Sequence, residues 1–524
     1  MIKIKKIENP VHAILTTIVC ICMIIYIYYS ITSVFYPFQV EYREGATVDI
    51  TNVIINGENP YTLDKIPPHL YVYGGFFSLL ASLVSKLLPH SVSLLAIHRI
   101  LSLLFLLMAS IVGYVSVFRE TKNKLYSFIA FTLLLSCTDI AARPEALAVF
   151  LFVLILFLSK KAESFIRIFI LSLLTVLCFY VKQYFVIIYL PLCLMLLFKK
   201  KKWFITYAFS VPIFFFLSFL LVRSLFPLYF ASNLIHHTAV ASYNILHLAK
   251  QGVYFIIRFF PLLLIFLPAV LNKLCGKKLK IRAVISKKPD ESFLTTESDL
   301  LRDVYFYAIL IVIFALLFII GGHTGTWMTY YYQLLLPPLT IFCLTHIDTI
   351  NIKNYSAEKN QHLIRGLSLL LSYSLVFSLC LHYKAARELV ASEANNNWQS
   401  ALDLIEEHSP ENAYLPAYFT AVAIENNYPV SDNGQTEYSS TLYSDKALYK
   451  YLIPASEQIP DSVIQWQDTI DQKIISKHYS IICIAKNEHP LINSDLLTAY
   501  YQRIETLVLI TGNQAWETEF WVPN

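Results

Sequence analysis

Apolar stretches approaching the length of a bilayer recur through the first 383 residues, and they constrain the fold more than any motif does. A helix needs about 20 mostly apolar residues to cross the hydrocarbon. Such segments are read near 11–35, 97–118, 125–141, 145–159, 165–181, 184–198, 203–222, 252–272, 304–320, 331–347 and 365–382. Hydrophobic residues make up 56% of the 524, and the mean hydropathy is +0.55, more than a soluble protein needs. The expected fold is therefore a polytopic α-helical membrane protein of about eleven transmembrane helices. The stretch 70–88 is apolar but lies between Pro67-Pro68 and Pro89, so a re-entrant or surface helix is expected there. The first span is too long for a signal-peptide core and has no clear small-x-small cleavage site, so it is expected to stay as an anchor.

Charge divides the chain in two. Up to Tyr383 there are 33 Lys and Arg against 17 Asp and Glu; from Lys384 onward there are 8 against 19. The cations of the first part fall on alternate loops. One side holds Lys3/Lys5/Lys6, Arg119/Lys122/Lys124, Lys160/Lys161/Arg167, Lys199–Lys202, the run Lys273–Lys288 and Lys353/Lys359/Arg365. By the positive-inside rule that side is cytoplasmic, and an odd number of spans puts the acidic tail outside. Neither part is built for nucleic acid.

The tail, 384–524, reads as a soluble extracytoplasmic α/β or α+β domain following a transmembrane domain, 1–383. WQSALDLIEEH is an amphipathic helix, AYLPAYFTAVAIEN and KHYSIICIAKN carry strand-like runs, and YQRIETLVLI is a further strand. Of nine cysteines, only Cys483 lies in the tail and no CxxC occurs, so neither a disulfide framework nor a metal site is expected.

The most organised polar stretch follows the first span: EYREGATVDITNVIINGENPYTLDKIPPHLYVYG, Glu41–Gly74. Its apolar positions from Val48 to Ile55 fit a short amphipathic helix, 44–57, lying on the membrane surface. Gly57 and Asn59-Pro60 end it. Glu44 and Asp49 stand at its start, and five residues rotate them about 140° apart, so they cannot face one small site together.

YREGATVDITNVIINGENPYT, then YVYGGFFSLL and IHRILSLLF, resembles the opening of GT-C integral-membrane glycosyltransferases. These are relatives of protein mannosyltransferases and of the enzyme that adds aminoarabinose to lipid A. AARPEALAVFLFVLILFL, VKQYFVIIYLPLCLMLLF and GGHTGTWMTYYYQLLLPPL resemble later segments of that family, over roughly residues 10–385. The resemblance implies a carboxylate base in the first outer loop. Many members carry Asp-Glu where this chain has Arg43-Glu44, and Arg43 cannot accept a proton. That leaves Glu44, with Asp49 as the other catalytic candidate.

A lipid phosphate leaving group needs cations at the membrane edge. Lys182, Arg143, Arg99 and Arg258 are the candidates on the outer side, and an ionisable residue at membrane depth is a functional suspect. Each has a structural reading as well: Lys182 can snorkel, and Arg143 can pair with Glu145. Tyr71, Tyr73, His236, His237, His323 and Tyr331 are candidates for substrate contacts, although tyrosines also gather at interfaces for structural reasons. The sequence makes no cofactor certain; a divalent metal is the one candidate, at His236-His237, although no flanking ligands stand beside that pair.

The expected function is transfer of a sugar from a polyprenyl-phosphate donor to a glycan, lipid or protein acceptor, with inversion, at a bacterial inner (plasma) membrane. A transporter or flippase is the rival class, and a lipid-pyrophosphate-using polysaccharide polymerase or ligase is the rival enzyme. Few charges lie within the spans, and no inverted repeat is visible, which disfavours the transporter.

Overall fold

A computed structural model describes residues 10–41, 43–89, 92–235, 242–284, 300–350, 356–394, 397–436, 465–486, 491–512 and 514–524. Lys3, Lys5, Lys6, Lys287, Lys288, Lys353, His236 and His237 lie outside the described residues.

Among the described residues, five helices contain stretches long and apolar enough to cross a membrane: α1 (Pro10–Phe35), α4 (Leu94–Thr121), α9 (Lys201–Leu225), α11 (Ile245–Val284) and α14 (Ala357–Ala394). Between them come α2 (Glu44–Ile55), α3 (Phe76–Ser85), α5 (Lys124–Leu135), α6 (Glu145–Ser159), α7 (Phe165–Val181), α8 (Tyr189–Lys199), α10 (Tyr229–Ile235), α12 (Val304–Phe314) and α13 (Met328–His346). The chain is an integral membrane protein. Helix α1 packs on α14, α4 on α5 and α6, α7 on α9, and α13 on α11 and α12. Their facing sides form one continuous apolar core, while Ile24, Ile31, Ile111, Phe216 and Leu220 point outward, as lipid-facing positions do.

The segment 70–88, expected as a re-entrant or surface helix, supplies the ten-residue α3, about 15 Å long, or half of a hydrocarbon core, too short to cross. Two other expectations about elements change. The span expected over 125–141 stops at Leu135, and Ser136–Pro144 continues as a loop. A loop inside a bundle is tolerated only where its backbone finds partners. Here Ala142 N–H donates to Glu44 (2.6 Å), Ile140 N–H to the Tyr29 hydroxyl (3.3 Å), and Ala141 C=O accepts from Ser102 (2.7 Å). Finally, α2 does not lie open on a membrane surface. Residues Glu44–Thr51 are all buried, because the tail covers the side of the helix that the bundle does not.

The tail holds a four-stranded sheet in the order β1 (Ala413–Tyr414), β2 (Ile481–Ala485), β4 (Gln514–Pro523), β3 (Tyr501–Thr511). β1 runs parallel to β2, and the other pairs are antiparallel. Alternation in β2 serves two cores. Ile481 and Cys483 meet Trp398, Phe419 and Phe520, while Ile482 and Ile484 meet Ile470, Ile474 and Tyr501. The run AYLPAYFTAVAIEN is a strand only at β1; it then turns helical through α16 (Thr420–Glu425), which packs on α2.

Candidate active site

Glu44 opens α2 with its carboxylate fully buried. It accepts from Arg99 Nε (3.1 Å) and Nη2 (2.8 Å), from Val40 N–H (2.6 Å) and from Ala142 N–H (2.6 Å). Ser93 caps α4 by accepting from Ala96 N–H, which sets Arg99 in the second turn, facing this carboxylate. Arg99 spends its remaining donors on the Ser33, Tyr36 and Phe38 carbonyls, at 2.6 to 3.0 Å. All five guanidinium N–H groups are thereby used. The pair ties the end of α1, the start of α2, α4 and the 136–144 loop together. It leaves no lone pair for a substrate proton and no donor for a phosphate.

Asp49 lies away from Glu44, as the helical rotation requires. It is also fully buried and takes His69 Nδ1 (2.9 Å) and Asn433 Nδ2 (3.0 Å). Burial works against a charged His69, but the Asp49 carboxylate outweighs it and raises the imidazole pKa. Tyr71 is core, with its hydroxyl 3.3 Å from Thr47 Oγ1. His323 packs edge-on to Tyr243, and Tyr331 to Tyr184; neither lies on the cavity described next.

A cavity of about 560 Å³ opens between the first loop, the 136–144 loop, α11, α13 and α14, a size common for ligand sites. Its charged walls are Glu41, Asp139, Arg143, Glu145, Arg258 and Glu388, with Tyr330 and Tyr332 beside them. Pro144 and Glu145 begin α6, where a proline is tolerated and a carboxylate suits the helix dipole. Arg143 reaches Glu145 (2.6 Å) and Glu41 (3.2 Å) and touches the Tyr330 hydroxyl.

Lys182 sits in the break where α7 ends, with an extended backbone. It is fully buried, its Nζ 2.5 Å from Glu145 Oε1 and 4.1 Å from the centre of the Tyr73 ring. The rings of Tyr330 and Tyr184 complete this box, and the Tyr330 hydroxyl bridges Lys182 and Glu145. Gly74 lets the chain pass there, since a Cβ would lie 2.0 Å from the Tyr180 carbonyl. Two cations, Arg143 and Lys182, thus meet two anions, Glu41 and Glu145, and the cluster is neutral. Glu145 Oε2 is buried and keeps no partner among the described residues.

Two other charges on the cavity wall have neither a hydrogen bond nor an ion pair among the described residues. Arg258 rests its guanidinium over Phe377 at 4.9 Å. Asp139, in the 136–144 loop, is exposed where it lines this half-open cavity. Desolvation by the protein around it raises its carboxyl pKa, with Arg143 acting in the opposite direction. Burial likewise raises Glu41, against Arg143 and Arg43. Among the described residues, no group of three His, Cys, Asp or Glu side chains could hold a metal ion.

Sequence reasoning missed Glu41 and Asp139 as cavity residues, and of the run Tyr330–Tyr332 it singled out Tyr331, whereas Tyr330 and Tyr332 line the cavity. Asp139 carried a usable signal, because a carboxylate inside a stretch read as a membrane span is a functional suspect.

No family model and no curated protein sequence matches the chain. Solved structures do. Apo ArnT from Cupriavidus metallidurans superposes with a TM-score of 0.55 at 11% identity, over 97% of this chain and 98% of that one. The same protein bound to undecaprenyl phosphate gives 0.55 at 10% identity, with the same coverage. The oligosaccharyltransferase of Archaeoglobus fulgidus gives 0.46 at 12% identity, over 91% of this chain and 70% of that one. From α1 through the terminal sheet, this chain has the fold of ArnT, the GT-C fold of integral-membrane glycosyltransferases.

Proposed function

We propose that this protein is a membrane glycosyltransferase that moves a sugar from a polyprenyl-phosphate donor to an extracytoplasmic acceptor. The observation that carries the reading is the cavity wall, which presents Arg258 and Asp139, both without an ion pair among the described residues, to the same space. Undecaprenyl phosphate bound to a structure of the same fold supports a lipid-phosphate donor.

In this reading Arg258 takes the donor phosphate. Arg143 and Lys182 are already neutralised by Glu41 and Glu145, so they shape the site more than they attract an anion. Asp139 is the general base, in place of Glu44 or Asp49, because its lone pairs are free and its pKa is raised. It removes the acceptor hydroxyl proton as that oxygen attacks the anomeric carbon. The carbon–oxygen bond to phosphate breaks, and its electron pair stays on the phosphate oxygen beside Arg258. A single displacement inverts the anomeric centre.

Undecaprenyl phosphate binding by the purified protein tests the clamp. Arg258→Met should weaken it by about ten- to a hundredfold, the worth of a charge-assisted contact. Equal binding by wild type and variant would remove Arg258 from the site. Lys182→Met, by contrast, should reduce the recovery of folded protein, since it leaves Arg143 alone against the two carboxylates Glu41 and Glu145 in a buried cluster.

The same reading places the tail outside the cytoplasm. Reporters inserted at Lys200 and fused after Asn524 should report opposite compartments; a shared compartment would reject this orientation.

A further inference from the structure

Beyond the end of α14, which carries Glu388, the described residues of the C-terminal domain contribute no charged group to the cavity wall, yet they grip both first-loop segments that reach the site. Gln39, fully buried just before α2, accepts from Ala421 N–H of the tail (2.9 Å) and donates to Ala417 C=O (3.4 Å). Pins run the other way from the turn 432–436. Asn433 Nδ2 donates to Asp49 (3.0 Å) and to Leu70 C=O (2.9 Å), and Gln435 Oε1 accepts from Val72 N–H (2.6 Å). Gln435 N–H in turn donates to Asn433 Oδ1 (3.0 Å), so the two pins share one rigid turn.

Val72 is held from both sides. Its N–H goes to the tail, and its C=O accepts from Gln183 Nε2 (2.8 Å), the neighbour of Lys182. Tyr73 follows directly, with its ring against Lys182. At the other segment, the turn between β3 and β4 reaches the cavity through Gly512. Its φ is +56°, and a Cβ there would lie 2.2 Å from the Val40 carbonyl. Val40 precedes Glu41, the partner of Arg143.

We propose that the C-terminal domain is a positioning part of the transfer site, with Gln435 setting Tyr73 against Lys182 and Gly512 setting Glu41 against Arg143. The argument rests on the reading that the cavity is where transfer takes place. Gln435 and Gly512 are positioning residues: they touch the segments that carry cavity and box residues, not the reacting atoms. The long separation in sequence makes the tail a clamp closed over the first loop.

Full-length protein in nanodiscs tests this in two ways. Tyr73→Cys, at a position only 7% exposed, should react slowly with a water-soluble maleimide, above the background of the native thiols. Adding Gln435→Leu removes the acceptor for Val72 N–H and should speed labelling by about tenfold, the equilibrium worth of one such bond. Gln435→Glu keeps an oxygen for that N–H and loses Nε2, which has no partner among the described residues, while burial favours the neutral form of the new carboxyl; its labelling should stay near the parental rate. An unchanged rate in Gln435→Leu overturns the role of Gln435, and equal acceleration in both variants reduces it to a packing role.

The second measurement is undecaprenyl phosphate affinity, which Gly512→Ala should weaken by about tenfold, on the scale of one displaced contact, with the melting profile retained. Unaltered affinity overturns the role of Gly512. Wild-type protein that binds no undecaprenyl phosphate refutes the transfer reading, while the maleimide arm still decides whether the tail positions the loop. Should Gln435→Leu not be recovered as a monodisperse protein, Asn433→Ala, which releases Leu70 two residues before Val72, replaces it under the same criteria.

Discussion

Asp139→Asn should lower turnover by about 10²- to 10⁴-fold, the usual worth of a general base, while leaving undecaprenyl phosphate affinity within a few-fold of wild type. The substitution keeps size and polarity and removes only the ability to take a proton. Release of undecaprenyl phosphate from a panel of glycosyl-undecaprenyl phosphates provides the measurement. Glu41→Gln is the informative comparison, because Glu41 faces the same cavity but already serves Arg143 and the Arg43 N–H. It should lose about tenfold, through a less well-placed Arg143. If Glu41→Gln is the dead variant and Asp139→Asn turns over normally, the base lies in the first loop after all. The pH profile carries the sign: a base works deprotonated, so activity falls on acidification. Desolvation by the surrounding protein raises the Asp139 carboxyl, so the acid limb should lie above the ~3.9 of a free aspartate.

The fold was readable where the physics is local and repetitive. Apolar length marked the helices, the helix at α2 followed from the spacing of Val48, Ile50, Val53 and Ile54, and β2 and β3 followed from KHYSIICIAKN and YQRIETLVLI. What failed depends on contacts between distant residues. The stop of α5 at Leu135 is not written in its apolar run; it is permitted by Tyr29, Glu44 and Ser102, which satisfy the loop backbone from three other elements. The burial of α2 depends on α16, which lies more than 360 residues away.

The site was legible in its composition but not in its pairing. Arg143, Lys182 and Arg258 were recognisable as cations at outer ends of spans, and the sequence could not say which of them keeps a free charge. Glu145 lies two residues from Arg143 and 37 from Lys182, yet both reach it, and of these three cations only Arg258 has no ion pair among the described residues. Glu44 stood out because an acidic first-loop motif resembled a family pattern. Whether such a carboxylate is free or spent depends on Arg99, Val40 and Ala142, and only the fold brings those together.

Glu44 and Arg99 therefore yield the second large effect, and it is one of folding. Glu44→Gln leaves the Arg99 guanidinium buried, with its charge uncompensated. Breaking one side of a buried, hydrogen-bonded ion pair costs about 3–5 kcal/mol, a large share of the 5–15 kcal/mol that holds a typical domain folded. The variant should be recovered in much lower yield as monodisperse protein and should unfold at a markedly lower temperature in detergent. Arg99→Met should do the same from the other side, stranding Glu44 with only its two backbone donors. The double variant Glu44→Leu/Arg99→Met removes both charges and should recover part of the loss, because neither partner is left buried alone. A catalytic Glu44 would behave differently: Glu44→Gln would be well folded, would bind undecaprenyl phosphate normally and would fail only in turnover, and the double variant would be no better than either single one. Four donors converge on a carboxylate with no exposed surface, so the expected loss is of the junction that holds the 136–144 loop, and with it Asp139, against the cavity.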